Sequence, residues 1–312
     1  MFSPGADPVF PEDLERRIFE SAAFFHTPCI PALLLVAHRV RIWIEPLFYK
    51  VVTIYGLPHK KARKPNTNFR YSVPALYSLI KSKPASFFPD NVRHVQVIGV
   101  PIAEILAALA ACNDITSLAL FDVSCVKGDA ALLELLGVFP LKRFSARANY
   151  WLGPGGWDFG HPLFAHITHL DLPGDFNCQG AKWSSFALIP RLTHLSFSED
   201  MSLSESFPTI LEHCKSLQVL AMVYSSPAML KFIVLTTERQ PSSFDPRVVL
   251  LAVADRQADW ETGARGADDY WIAAEWLVDK QRAGDFHDFA LRDFSEDDKK
   301  ELAERELFCQ IA

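Results

Sequence analysis

One short pattern recurs down the chain: an apolar residue, two variable positions, an apolar residue, one variable position and an apolar residue. It reads VRHVQV from Val92, ITSLAL from Ile115, LKRFSA from Leu141, ITHLDL from Ile167, LTHLSF from Leu192, LQVLAM from Leu217 and, less cleanly, VVLLAV from Val248. The intervals are 23, 26, 26, 25, 25 and 31 residues. Alternation with period two marks a strand with one side turned to a core. The segments between read as helices: PIAEILAALAACND puts Ile102, Ile105, Leu106 and Leu109 on one face, and SESFPTILEHCKS does the same with Phe207, Ile210, Leu211 and Cys214. None of these pieces buries its apolar side alone, so strand and return segment are expected to form one coil of a stacked array.

From about Val92 to Ala254 this pattern resembles the leucine-rich-repeat family, although the asparagine that often follows the last leucine is mostly missing. The resemblance implies an α/β solenoid, with parallel strands lining a concave face and helices on the convex face. An ordinary α/β domain with evenly spaced strands is the alternative.

Before the array stands Leu33 to Val52, LLLVAHRVRIWIEPLFYKVV, the most apolar stretch of the chain. It carries His38, Arg39, Arg41, Glu45 and Lys50, and a central charge costs about 2.5–3.5 kcal/mol in a bilayer, so it is not read as a membrane span. FPEDLERRIFESAA, from Phe10, reads as an amphipathic helix with Leu14, Ile18, Phe19 and Ala22 on one stripe. Pro28 and Pro31 interrupt it, a second helix is expected to run as far as Pro46, and YKVVTIYG leads into a strand.

Phe10-Pro11-Glu12-x-Leu14, then Ile18-Phe19, then Leu35-Val36-Ala37-His38-Arg39, resemble the F-box motif over about Phe10 to Phe48. Phe10 stands where the motif has leucine, Ala37 where it has cysteine, and Val40 at its aromatic position. The resemblance, joined to leucine-rich repeats, implies a non-catalytic substrate receptor of a cullin-type ubiquitin ligase. Phe10, Pro11, Leu14, Ile18, Phe19 and Val36 would then face the ligase adaptor, and the repeats would hold a protein substrate. The same helices can equally serve only as the cap that a repeat array requires, which would make the chain a standalone interaction scaffold.

Composition narrows the partners. The net charge is −6, and residues 285–312 account for −5 of it, which argues against the coherent basic face needed for nucleic acid. The first residues, MFSPGADPVFPED, lack the basic and apolar regions of a secretory signal, and the six cysteines are scattered with no C-x-x-C pair. An intracellular protein, cytoplasmic or nuclear, with reduced and mostly buried thiols is expected. HKKARKP, from His59, is read as a solvated loop with nuclear import as the alternative.

In repeat register the outward positions form columns. His94, Ser117, Arg143, His169, His194 and Val219 stand in one, Gln96, Ala119, Ser145, Asp171, Ser196 and Ala221 in the next, with Arg147, Glu199 and Tyr224 extending the face. The substrate-binding surface is therefore expected at His94, Gln96, Arg143, Arg147, His169, Asp171, His194, Ser196 and Glu199. His169, His194 and Asp171 invite a metal reading, but a third firm ligand is missing and no metal or cofactor is expected. WLGPGGWDFGHPLF, from Trp151, lacks the lysine and context of a phosphate loop and is read as a loop replacing one helix, with Trp151, Trp157 and Phe159 covering the core. No nucleophile, base and orienting group can be named together, so no catalytic residue is assigned. GADDYWIAAEWLVDKQRAG places Trp271, Ala274, Leu277 and Val278 at helical spacing to close the last repeat, and Ser295 to Asp298 has capping-box spacing. The expected layout is a helical module at 1–50, the repeats at 51–258 and a helical cap with an acidic tail at 259–312.

Overall fold

Strands of three to six residues pair side by side, most of them with the next strand in the chain, and those of four to six residues each turn an unbroken apolar side to the main core. In the computed structural model, residues 10–56, 70–123, 129–147, 158–174, 183–198, 205–226, 245–284 and 290–292 are described. Ten strands form one parallel sheet: β1 (Val51–Tyr55), β2 (Arg70–Ser72), β3 (His94–Ile98), β4 (Ser117–Phe121), β5 (Arg143–Ala146), β6 (His169–Leu172), β7 (His194–Ser198), β8 (Val219–Tyr224), β9 (Val248–Val253) and β10 (Ala290–Arg292). From β3 to β10 they lie in chain order. β1 precedes β3, and β2 forms the edge beyond β1.

The register follows the repeats. Val95 pairs with Leu118, Leu118 with Phe144, Phe144 with Leu170, Leu170 with Leu195 and Leu195 with Leu220. All six are buried in the main core, where each contributes about 1.5–3 kcal/mol by leaving water. Return segments close this core: α4 (Val73–Ser82), α5 (Phe87–Asn91), α6 (Leu106–Ala110), α7 (Ala130–Gly137) and α8 (Phe207–His213), with single 3-10 turns at Ile102–Glu104 and Pro162–Phe164 and a longer 3-10 helix at Trp183–Leu188. Ile102, Ile105, Leu109, Phe207, Ile210, Leu211 and Cys214 are buried as their spacing requires, and Phe159 is buried among them. Burial pushes the Cys112 thiol up to about 12 and that of Cys214 to about 11, whereas Cys29 is exposed.

The last repeat departs from the sequence register. Leu220 pairs with Val248, so the final interval is three residues shorter than the motif alignment implies. Val248, Leu250 and Ala252 enter the main core, and Val249, Leu251 and Val253 point to the other side.

Among the described residues three α-helices precede the sheet, α1 (Glu12–Phe25), α2 (Ile30–Leu33) and α3 (His38–Tyr49), with a 3-10 turn at Thr27–Cys29. The second long helix does not stop at Pro46 but carries it internally and continues to Tyr49. It is held there by packing: Tyr49 meets Phe87 edge-on at 5.2 Å, and Lys83 donates to Glu45 Oε1 at 2.6 Å with its ammonium 4.7 Å from the Phe87 ring. Ala23, Ile30, Val40, Trp43 and Ile44 form the small core of this module.

After β9 the chain makes a helical hairpin, α9 (Arg256–Ala264) and α10 (Tyr270–Arg282). Asp255 caps α9 by accepting from Gln257 N and Ala258 N, and Asp269 caps α10 by accepting from Trp271 N. Between them Gly266 holds φ +91°, its N–H bonding Gly263 O while Ala267 N bonds Thr262 O, the paired contacts of a left-handed helix stop. Gly263 is required for a different reason: a Cβ there would stand 2.3 Å from Asp269 Oδ2. Among the described residues no helix is long and apolar enough to cross a membrane.

Candidate functional site

The polar columns align in space as in sequence: His94 pairs with Ser117, Ser117 with Arg143, Arg143 with His169, His169 with His194 and His194 with Val219. β1 adds Val51 and Thr53 to the same columns. The face is not open. The hairpin lies across it instead of closing only the end of the array, and Gln96, Ser145, Asp171, His194 and Ser196 are buried. Gln96 Nε2 donates to Gln257 O at 2.9 Å, and Arg143 Nη1 donates to Asp269 Oδ2 at 2.6 Å. Over β8 and β9, Val219, Ala221, Val223, Val249, Leu251 and Val253 pack against Trp271, Ala274, Leu277 and Val278 in a second core. Two apolar columns at this end and the apolar stripe of α10 are the same interface seen from its two sides.

Asp171 is the hub beneath the hairpin. Its carboxylate accepts from Ser145 Oγ at 2.7 Å, Ser196 Oγ at 2.6 Å and Arg256 Nη2 at 2.6 Å. Arg256 also donates to Ser198 Oγ, and its guanidinium lies 5.6 Å from the ring of Tyr270, whose hydroxyl bonds Ser196 Oγ at 2.9 Å. Burial works against the Arg256 charge, but Asp171 and Tyr270 outweigh it and raise the guanidinium pKa. The Tyr270 hydroxyl is raised well above the usual range by burial and by Asp171. Asp171 accepts three hydrogen bonds under cover, so it is committed to the hairpin as a structural clamp and does not join the two histidines as a ligand.

His169 and His194 instead meet Glu275 of α10. Their rings stack with centroids 4.0 Å apart and planes 5° from parallel, and Trp271 stands edge-on to both, at 5.3 Å and 5.5 Å. Glu275 Oε1 is 3.0 Å from His194 Nε2. Burial, then the neighbouring charges, holds His169 down to about 2, His194 to about 4 and His94 to about 4, so all three are neutral near pH 7. Among the described residues one group has metal-ligand spacing, and it is His169, His194 and Glu275, with one ligand atom from each lying within 4.8 Å of the others. No spacing rule links Glu275 to the repeats; the signal for it was the helical face it shares with Trp271, which already pointed at the sheet.

Arg147 lies at the rim of this face and pairs with Asp122 at 3.1 Å, with both side chains reaching solvent. Glu199, Trp151, Trp157, the basic run at 59–65 and the capping-box stretch at 295–298 lie outside the described residues.

The N-terminal helices present the opposite situation. Glu15, Phe19, Ala22 and Ala23 form the inward side of α1, and Glu15 accepts two bonds from Arg39 of α3, at 2.7 Å and 2.8 Å. Leu14 and Ile18, expected on one stripe with Phe19, turn outward. Phe10 is 51% exposed, Leu14 45%, Ile18 52% and Val36 58%, with Pro11 also exposed. Phe19 is half-buried against the module core. Phe24 reaches Gly266 in the hairpin turn, where an added Cβ would stand 3.3 Å from its ring. Compared with known proteins, the chain matches no family model and no curated protein.

Proposed function

We propose that this chain is a non-catalytic, F-box-type subunit of a cullin-type ubiquitin ligase, in which the N-terminal helices bind the small ligase adaptor and a leucine-rich-repeat solenoid presents a protein substrate. The observation that carries the reading is the outward placement of Phe10, Leu14, Ile18 and Val36 on a module whose own core is complete without them. These are the positions that the motif resemblance assigns to the adaptor. Exposed aliphatic and aromatic side chains on a rigid helical surface are what a partner of complementary apolar chemistry buries. In-order parallel strands joined by short helices and 3-10 turns are the arrangement that a leucine-rich repeat requires.

The covered polar face bears on where substrate binds. Contact with the strand columns would require the hairpin to leave, against the Asp171–Arg256 pair and the second core, so in this reading the substrate meets the rim around Arg147 and Asp122. The same covered face favours the scaffold alternative in one respect, because it leaves no broad open sheet surface for a receptor to use.

Co-expression with the adaptor tests the assignment. The wild-type chain is expected to capture it, and a Leu14→Arg, Ile18→Arg double variant is expected to lose capture while melting at the wild-type temperature. Substitution is cleaner than truncation at residue 48, which would strip Trp43 and Ile44 from beside a sheet core that contains Tyr49. A wild-type chain that fails to capture the adaptor, or a double variant that still captures it, rejects the ligase role and leaves the scaffold.

A further inference from the structure

Thr168 and Thr193 immediately precede the two stacked histidines, and each hydroxyl contacts a ring nitrogen of the histidine that follows it. Thr168 Oγ1 donates its single hydrogen to Lys142 O at 3.1 Å, and Thr193 Oγ1 donates to Thr168 O at 3.2 Å. Each hydroxyl also lies close to the Nδ1 of the following histidine, at 2.9 Å for His169 and 2.8 Å for His194. Where the hydroxyl hydrogen goes to the carbonyl, its oxygen accepts from Nδ1–H and Nε2 keeps its lone pair, and an ion bound at Nε2 selects that tautomer. The rings are stacked nearly parallel, so both Nε2 atoms emerge on the same side, toward α10.

The group waiting there is also an acceptor. Glu275 Oε1 stands 3.0 Å from His194 Nε2, yet that nitrogen is buried and makes no hydrogen bond. With Nδ1 protonated, His194 Nε2 and the Glu275 carboxylate face each other as two lone pairs, which repel unless a proton or a cation lies between them. The Arg143 charge acts on Glu275, but its Nη1 donates to Asp269 Oδ2 at 2.6 Å and no donor reaches His194 Nε2. We propose that His169, His194 and Glu275 bind one divalent late first-row metal ion, zinc or a close analogue, which fastens α10 to β6 and β7.

The donor set fits that class: two imidazole nitrogens and one carboxylate oxygen are borderline ligands suited to zinc, with a fourth position left for water. The threonines are the outer hydrogen-bonding shell that orients metal-binding histidines. Because Glu275 is 45% exposed at its side chain, the open position faces solvent and an ion can enter. The three donor atoms now span up to 4.8 Å, against about 3.3 Å in a closed tetrahedral site, so binding draws Glu275 inward and fans the two rings apart.

The test uses the full chain, stripped with a chelator and desalted, then titrated with Zn²⁺ by calorimetry and with Co²⁺ by visible absorption. One ion per chain is expected, with a cobalt ligand-field band and a melting temperature that climbs with metal concentration. Glu275→Gln and His194→Gln should each weaken binding at least about tenfold, and Thr193→Val, which keeps every ligand, by about 10- to 100-fold. His213→Gln, on an exposed helix end far from the group, should change nothing. If His194→Gln fails to fold, Glu275→Gln decides, since its side chain is partly solvated. Absence of stoichiometric uptake by the wild-type chain would mean that Glu275 and His194 merely share a proton; that result, or equal affinity in Glu275→Gln, overturns the proposal.

Discussion

The two ends of the chain both contribute helices that carry apolar stripes, and they spend them in opposite ways. In α10, Trp271, Ala274, Leu277 and Val278 turn inward onto β8 and β9, and nothing of that stripe is left for a partner. In α1, Leu14 and Ile18 turn outward although Phe19 and Ala23 already supply an inward side. A helix needs only one buried stripe to be held in place, so the second stripe of α1 is surplus to folding, whereas the stripe of α10 is the fold. The polar columns follow the same logic. Residues that read as a binding strip serve instead to anchor the hairpin, through Asp171, Arg143 and Gln96.

The largest effect should come from cutting that anchor. Asp171→Ala leaves the Arg256 guanidinium buried without its counter-charge, and breaking one partner of a buried pair costs about 3–5 kcal/mol. The melting temperature should drop by about 5–10 °C, since a chain longer than 250 residues shifts by about 2 °C per kcal/mol. Asp171→Leu with Arg256→Met, which replaces both charges by apolar groups, should recover most of the loss. If the single variant melts like the wild type, the hairpin is not anchored there and the contrast between the two ends fails. Next in size, Leu277→Ala removes a fully buried side chain from the second core and should cost about 2–5 kcal/mol, read from chemical denaturation.

Much of this was legible beforehand, and the failures are instructive. Alternation within each strand and a near-constant interval between strands placed every column from His94 to Val219 in its true register. VVLLAV was misaligned because both of its sides are buried: six apolar residues in a row contain no alternation with which to choose a face. Polar residues on outward columns ordinarily face water, but here Asp171 accepts from Ser145, Ser196 and Arg256 under cover. The stripe of α10 announced that the helix would be buried without saying against what. Val219 and Ala221, apolar in an otherwise polar pair of columns, were the available hint. Leu14 and Ile18 were grouped with Phe19 because spacing shows which residues share a helix face, not where one face ends and the next begins.

A pH titration tests the covered face from another side. His94 is held down to about 4 by burial, aided by Lys50, Arg143 and Arg93, against about 6.5 in an unfolded chain. A depressed histidine favours the folded state above the unfolded value, and that contribution is lost as pH falls from about 6.5 through about 4, because the unfolded chain then binds the extra proton. The His94 contribution to stability should decline by about 2–3 kcal/mol over that window, at about 1.4 kcal/mol per unit, on top of losses of the same sign from His169 and His194. His94→Asn should flatten this part of the profile; an unchanged slope would show that water reaches the imidazole and the hairpin does not seal that end of the face.

The smallest effect is the counterpart of Leu277. Ile18 is similarly apolar and similarly placed on a helix, but it is half exposed, so Ile18→Ser removes little area that folding had withdrawn from water. Its equilibrium stability should stay within about 0.5 kcal/mol of wild type, the range of ordinary surface substitutions. The comparison is informative because the two residues differ in surroundings far more than in chemistry. A loss above about 1 kcal/mol at Ile18 would mean that the patch is covered in solution, and a loss that grows with protein concentration would identify the cover as a second copy of the chain. A stability indifferent to Ile18 leaves the outward stripe without a folding role, and an apolar surface with no folding role is one that a partner is free to use.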